Sequence, residues 1–131
     1  MDLSQINIEQ ASEKGAFLHL EHPVTGEHLY TDDDKAIGFD VVGSDSARFR
    51  RKMSELANRK MGKRQKQSTI EKAEQEGAEL LSACILKCHN VTIDGEQVKP
   101  ESVEHVLLKH RWIREQVDEF VGDRRNFFLI A

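Results

Sequence analysis

Apolar and polar positions change their spacing several times along the chain, and each change predicts an element. In Ala16-Phe17-Leu18-His19-Leu20 the large apolar side chains fall near alternation, His22-Pro23-Val24-Thr25-Gly26-Glu27 supplies turn residues, and Leu29-Tyr30 reads as a return arm. A small hairpin is expected there. Beyond Asp32-Asp33-Asp34, residues Ile37, Phe39 and Val41 alternate on one face of a third short strand that Gly43 ends. The first 43 residues thus read as β-rich, opening on period-2 material rather than on a helix.

Helical spacing comes next. Ser44-Asp45-Ser46 offers N-cap side chains, and Phe49, Met53, Leu56, Ala57 and Met61 form the stripe of an amphipathic helix over 48–66, bent or broken at Gly62. The polar stretch 63–67 reads as a linker, and Ser68-Thr69-Ile70-Glu71 has the spacing of a capping box. A second long helix is expected from there to Asn90, with Ile70, Ala73, Gly77, Leu80, Leu81, Cys84 and Cys88 on one face. Asp94-Gly95 inside Val91 to Val98 is a strong two-residue hairpin signal. Pro100 suits the first turn of a helix carrying Val103, Val106 and Leu107. A last helix carries Trp112, Ile113, Val117, Phe120 and Val121, and an apolar tail runs from Phe127 to Ala131. The expected architecture is one α+β domain over 1–131, with short N-terminal strands or a hairpin in 1–43, and in 44–131 a mainly α-helical body with a small second hairpin.

Composition narrows the class. With 131 residues, 38% apolar and 32% charged, the chain suits one modest core and excludes a large multidomain enzyme. No apolar run reaches the ~18 to 20 residues of a membrane helix, and the first ten residues lack a signal-peptide pattern, so a cytoplasmic location without membrane contact is expected. The net charge of −4 conceals an uneven layout. Residues 1–45 hold ten acids against Lys14 and Lys35; residues 48–66 hold nine bases against Glu55; the remainder is again acidic. Such a layout fits a nucleic-acid surface, a solvated helix face, or a charge-matched contact within the chain or between copies. Arg50, Arg51 and Lys52 are the candidates for self-association or phosphate contact. No stacking platform accompanies the bases, since Phe49 belongs to the apolar stripe, and this disfavours nucleic acid.

Candidate chemistry is sparse. Cys84, Cys88 and His89, with His105 or His110, invite a zinc reading, but both cysteines sit at i, i+4 on an apolar stripe where free cysteine serves as a small core residue. A cysteine nucleophile lacks an identifiable orienting group, and no phosphate loop, nucleophile elbow or calcium loop is present. The expectation is a non-enzymatic protein with no metal and no cofactor.

The order of these parts resembles the tail assembly chaperones of long-tailed bacteriophages and prophages. The similar features are Pro23-Val24-Thr25-Gly26-Glu27, the run Gly43 to Ser46 leading into an Arg/Lys-rich helix, a Glu-rich helix, the arm Val91 to Val98, and a closing Trp112, Ile113, Gln116, Val117 helix followed by Asn126 and Phe127. Where this family often carries a Trp after its second long helix, Cys88-His89-Asn90 stands here. The resemblance implies a protein that binds the tape-measure protein, assists assembly of the tail-tube protein in the host cytoplasm, can form homo-oligomers, and is absent from the mature virion. Amphipathic helices with adaptable methionines suit such work, so the partner-binding candidates are Met53, Met61, Trp112, Ile113, Gln116, Val117, Phe120 and Phe127. The competing expectation is a small prophage nucleic-acid-binding or regulatory protein that uses the basic helix 48–66.

Overall fold

A computed structural model describes residues 1–62 and 69–128. The linker expected at 63–67, Ser68 of the expected capping box and residues 129–131 lie outside the described residues. The fold is α+β, with a three-stranded antiparallel sheet of order β1-β2-β3 laid on a helical body. The elements run α1 (Ile8–Lys14), β1 (Ala16–His19), β2 (Gly38–Val41), α2 (Ala47–Gly62), α3 (Ile70–Cys84), β3 (Ile85–His89), β4 (Thr92–Ile93), β5 (Glu96–Gln97), α4 (Val103–Lys109) and α5 (Arg111–Gly122).

Alternation decides the faces of the sheet. Leu18 on β1 and Phe39 and Val41 on β2 point into the core, whereas Phe17 stands half-exposed on the outer face. The register sets Leu18 opposite Phe39 and His19 opposite Gly38. Leu81 and Cys84 of α3, Val103, Val106 and Leu107 of α4, and Ile113, Val117 and Val121 of α5 complete one continuous core.

Three expectations are corrected. Helix precedes the first strand: Asn7 caps α1 by accepting from the Gln10 amide, and the short helix buries Ser12 against the body. Its seven residues are too few to display an apolar period. The hairpin is rearranged as well. The turn at 22–27 forms, closed by the His22 amide donating to the Glu27 carbonyl at 2.8 Å, but β1 pairs with β2 rather than with Leu29-Tyr30. The hairpin is confined to the residues just past β1, where Glu21 bridges His28 and the Leu29 amide donates to the Leu20 carbonyl, while the Leu20 amide donates to Ile37 and the Ile37 amide to Leu29. Finally, α3 stops at Cys84 and the chain continues directly as β3. The 3, 4 spacing extends through Cys88, yet the backbone of 85–89 finds partners on β2, and those long-range hydrogen bonds override the local period. Cys84 and Cys88 therefore do not share a helix face. Asn90, expected to stop a helix, ends β3 in a left-handed conformation at φ 60°, with its side-chain amide donating to the Ala36 carbonyl.

Elsewhere the local signals agree with the structure. Asp94 and Gly95 both take positive φ, 51° and 83°, the pairing a tight hairpin requires between β4 and β5. Pro100 opens a short 3₁₀ turn that leads into α4. The cap of α3 falls at Thr69, one residue later than the expected capping box places it, with the Thr69 hydroxyl accepting from the Lys72 amide. Phe127 turns back into the core beside Phe120, ring centroids 5.6 Å apart and edge to face. Among the described residues no helix is long and apolar enough to cross a membrane.

Candidate functional site

The α2–α3 pair carries the most distinctive surface. α2 begins at Ser46, whose hydroxyl accepts from the Phe49 amide, while the Glu13 carboxylate accepts from the Ala47 amide at 3.1 Å. These contacts satisfy two of the free donors at the helix start. Of its expected stripe, Leu56 is buried and Phe49 half-buried. Met53 and Met61 are 48% and 87% exposed, and Ala57 between them is also exposed. Ile70 at the start of α3 is 80% exposed.

Ion pairs link α2 to α3. Arg59 grips Glu79 with two nitrogens at 3.0 and 2.9 Å, Lys52 reaches the same carboxylate at 2.9 Å, and Lys60 meets Glu76 at 3.0 Å. The Arg59 hydrogen bonds first, and the Lys52 hydrogen bond next, pull the Glu79 carboxyl down to about 2 against the opposing effect of burial. A carboxyl lowered in the folded state stabilises fully above its ordinary value and loses that contribution as pH falls through the folded value. Glu79→Gln is therefore expected to cost on the order of 1 kcal/mol at pH 7, a figure reduced for the solvent reaching Arg59. Urea denaturation at pH 7, 4.5 and about 2 checks this, with the two proteins drawing together at the acid end. A gap that stays constant down to pH 2 contradicts the role given to Glu79.

This ladder also answers the question posed by the charge layout. The bases Lys52, Arg59 and Lys60 are met by Glu76 and Glu79 of the third segment, not mainly by the acidic first segment. From that first segment Glu9 meets Arg50 at 3.6 Å between two exposed side chains, and Asp45 is held by two nitrogens of Arg124. Lys52 is thus engaged inside the chain. Arg51 is exposed, and among the described residues neither it nor Arg48 has a carboxylate within ion-pair reach.

The other expected contact residues lie elsewhere. Ile113, Val117 and Phe127 are core residues, 2%, 0% and 8% exposed, and in the folded protein they offer no surface to a partner. Trp112 and Phe120 are half-buried against the same core. Gln116 is a clamp: its Oε1 accepts from the Glu21 amide at 2.9 Å and its Nε2 donates to the Glu21 carbonyl at 2.8 Å, tying α5 to the end of β1. An amphipathic stripe read in sequence does not tell whether its apolar face meets its own chain or another. Here most of the α5 stripe meets its own chain.

The cysteine chemistry is quiet. Burial pushes the Cys84 thiol up to about 12, and burial followed by the nearby Glu101 charge pushes Cys88 up to about 11, so both stay protonated at neutral pH. His89 is 2.8 Å from the Asp40 carboxylate rather than directed to either thiol. Among the described residues no three His, Cys, Asp or Glu side chains converge as metal ligands.

Two features were not anticipated. The outer face of the sheet gathers Phe17, His19, His28, Tyr30 and His89, with neighbouring rings 4.4 to 5.8 Å apart. The alternation of Phe17 and His19 with Leu18 and Leu20 was a usable signal, but the arrival of His28, Tyr30 and His89 beside them depends on the tertiary pairing. The second is a groove of about 390 Å³ between the β4–β5 hairpin and α4. Comparison with protein-family models, with curated proteins and with solved structures returns no match to this chain.

Proposed function

We propose that the protein is a non-catalytic tail assembly chaperone of a long-tailed bacteriophage or prophage, which binds the tape-measure protein and assists tail-tube assembly in the host cytoplasm. The observation that carries this reading is the exposed apolar line Met53, Ala57 and Met61 on α2, spaced i, i+4, i+8. A helix face of this kind, rich in unbranched and polarisable methionine, suits an amphipathic client helix laid alongside it. The ion-pair ladder to Glu76 and Glu79 supports the same reading, because it joins α2 to α3 while Met53 and Met61 stay exposed. It also weighs against the nucleic-acid alternative, since three of the bases a phosphate backbone would need are already matched to carboxylates.

Co-expression with the tape-measure protein encoded nearby tests the reading. The wild-type chain is expected to keep that client soluble and to elute with it, whereas Met53→Glu with Met61→Glu, folded by circular dichroism, is expected to recover at least about tenfold less complex. A client that stays insoluble with the wild-type chain, or that is held equally by the double variant, overturns the proposal.

A further inference from the structure

β1 closes one end of the three-stranded sheet, with β2 on one side and, among the described residues, no strand on the other. In an antiparallel ladder a strand turns its N–H and C=O groups alternately toward and away from its partner. The Leu20 amide donates to the Ile37 carbonyl, so the groups turned away from β2 are those of Phe17, His19 and Glu21. Glu21 is already met as a neighbouring strand would meet it, since the side-chain amide of Gln116 on α5 accepts from its N–H at 2.9 Å and donates to its C=O at 2.8 Å. Earlier in the row the edge is open: among the described residues no hydrogen bond reaches the outward backbone groups of Phe17 or His19. Exposed edges are commonly guarded by lysine or proline, and Ala16-Phe17-Leu18-His19 has neither, whereas the opposite edge strand, β3, carries Lys87. Beside the open edge runs a groove of about 200 Å³ between β1 and α5. Half-buried Phe120 gives it apolar surface, and the exposed carboxylates of Glu21 and Glu119 flank it, Asp123 being held by Arg125. Among the described residues no lysine or arginine lines it.

We propose that the open edge of β1 takes an extended segment of a partner protein as a further strand, one in which basic residues alternate with apolar ones. The backbone of that segment pairs with Phe17 and His19 and supplies the affinity, as in other strand additions to a free sheet edge. Its side chains alternate between two faces, and the two faces differ. Toward α5, a lysine or arginine lays its aliphatic stem along Phe120 and carries its cationic head to Glu119 and Glu21. On the outer face, an apolar side chain lies against Phe17, which is 39% exposed. An acidic segment is repelled by the same carboxylates. The edge is built from different elements than the methionine line of α2, and the proposal does not rest on the chaperone reading.

Fluorescence anisotropy with a fluorescein-labelled Lys-Val-Lys-Val-Lys-Val-Lys peptide tests it. Glu119→Lys is expected to weaken binding about tenfold or more, while Glu104→Lys, the same change of charge on α4, stays within about twofold of wild type. Amide hydrogen exchange followed by NMR reads the backbone directly. With peptide in excess, the Phe17 and His19 amides are expected to exchange about tenfold or more slowly. No binding, equal losses in the two variants, or unchanged exchange at Phe17 and His19 each overturn the proposal. Two further outcomes also defeat it. If the chain alone sediments as an oligomer that the peptide disperses, a second copy holds the edge. If removing residues 129–131 raises the peptide affinity about tenfold or more, the chain's own terminus holds it.

Discussion

Replacing Gly38 by alanine is expected to destabilise the protein by about 3 kcal/mol or more, a large part of the total stability of a domain this size. The reason is space rather than conformation, since Gly38 does not adopt a positive φ. It sits on β2 opposite His19, and an added Cβ would collide with the Leu18 carbonyl oxygen, a backbone atom held in the β1–β2 ladder. It would also stand 2.8 and 2.9 Å from the Phe17 ring, which covers Gly38 on the outer face of the sheet. The ring can turn away; the carbonyl moves only if the ladder opens. Gly43 makes a useful contrast, because the first atom its added Cβ would meet is the Ser12 hydroxyl, which can rotate, so Gly43→Ala is expected to cost less. Urea denaturation of the two variants measures the difference. A Gly38→Ala protein within about 1 kcal/mol of wild type would mean that β1 shifts freely against β2.

A second large effect is expected at Val117. Val117→Asp places a carboxylate in a fully buried position within the apolar core, and a loss of about 4 kcal/mol or more is expected, sufficient to unfold a domain of ordinary stability. Met61→Asp, at an 87% exposed site, is expected to change stability by no more than about 0.5 kcal/mol. The pair separates two stripes that look alike in sequence. Thermal melts followed by circular dichroism give the first readout, with dispersion of amide proton shifts as the second. A folded and stable Val117→Asp protein would return α5 to the surface and restore Ile113 and Val117 as contact residues.

The difference between the α2 and α5 stripes explains how much of the candidate site was legible. Met53 and Met61 were recognisable as apolar positions of an amphipathic helix, and so were Ile113 and Val117. Periodicity places residues on one face; it carries no information about what that face meets. α5 is covered by β1, β2, α3 and α4 through the common core, whereas α2 reaches that core through Phe49 and meets α3 through a set of ion pairs, with its methionines outside. The charge of the basic helix required an answer, but the answering acids, Glu76 and Glu79, belong to a segment whose total charge did not single them out. The groove was less visible still. It joins residues 93–98 to residues 101–110, and none of its carboxylates forms a spacing that stands out along the chain.

By itself the sequence determined the α+β class, the turn at 22–27, the Asp94-Gly95 hairpin, the start of α2 near Ser46 and the helices over 103–109 and 111–122. These are local matters, governed by caps, φ preferences and periodicity within a few residues. Only the tertiary structure decided that 85–89 is a strand, that β1 pairs with β2 across the 20–37 excursion, and which apolar stripe stays open. Each of those depends on hydrogen bonds or contacts between residues far apart in sequence, and their energy exists only once the partner is in place. At Cys84 a helical period continues along the chain, and the free backbone edge of β2 turns residues 85–89 into β3.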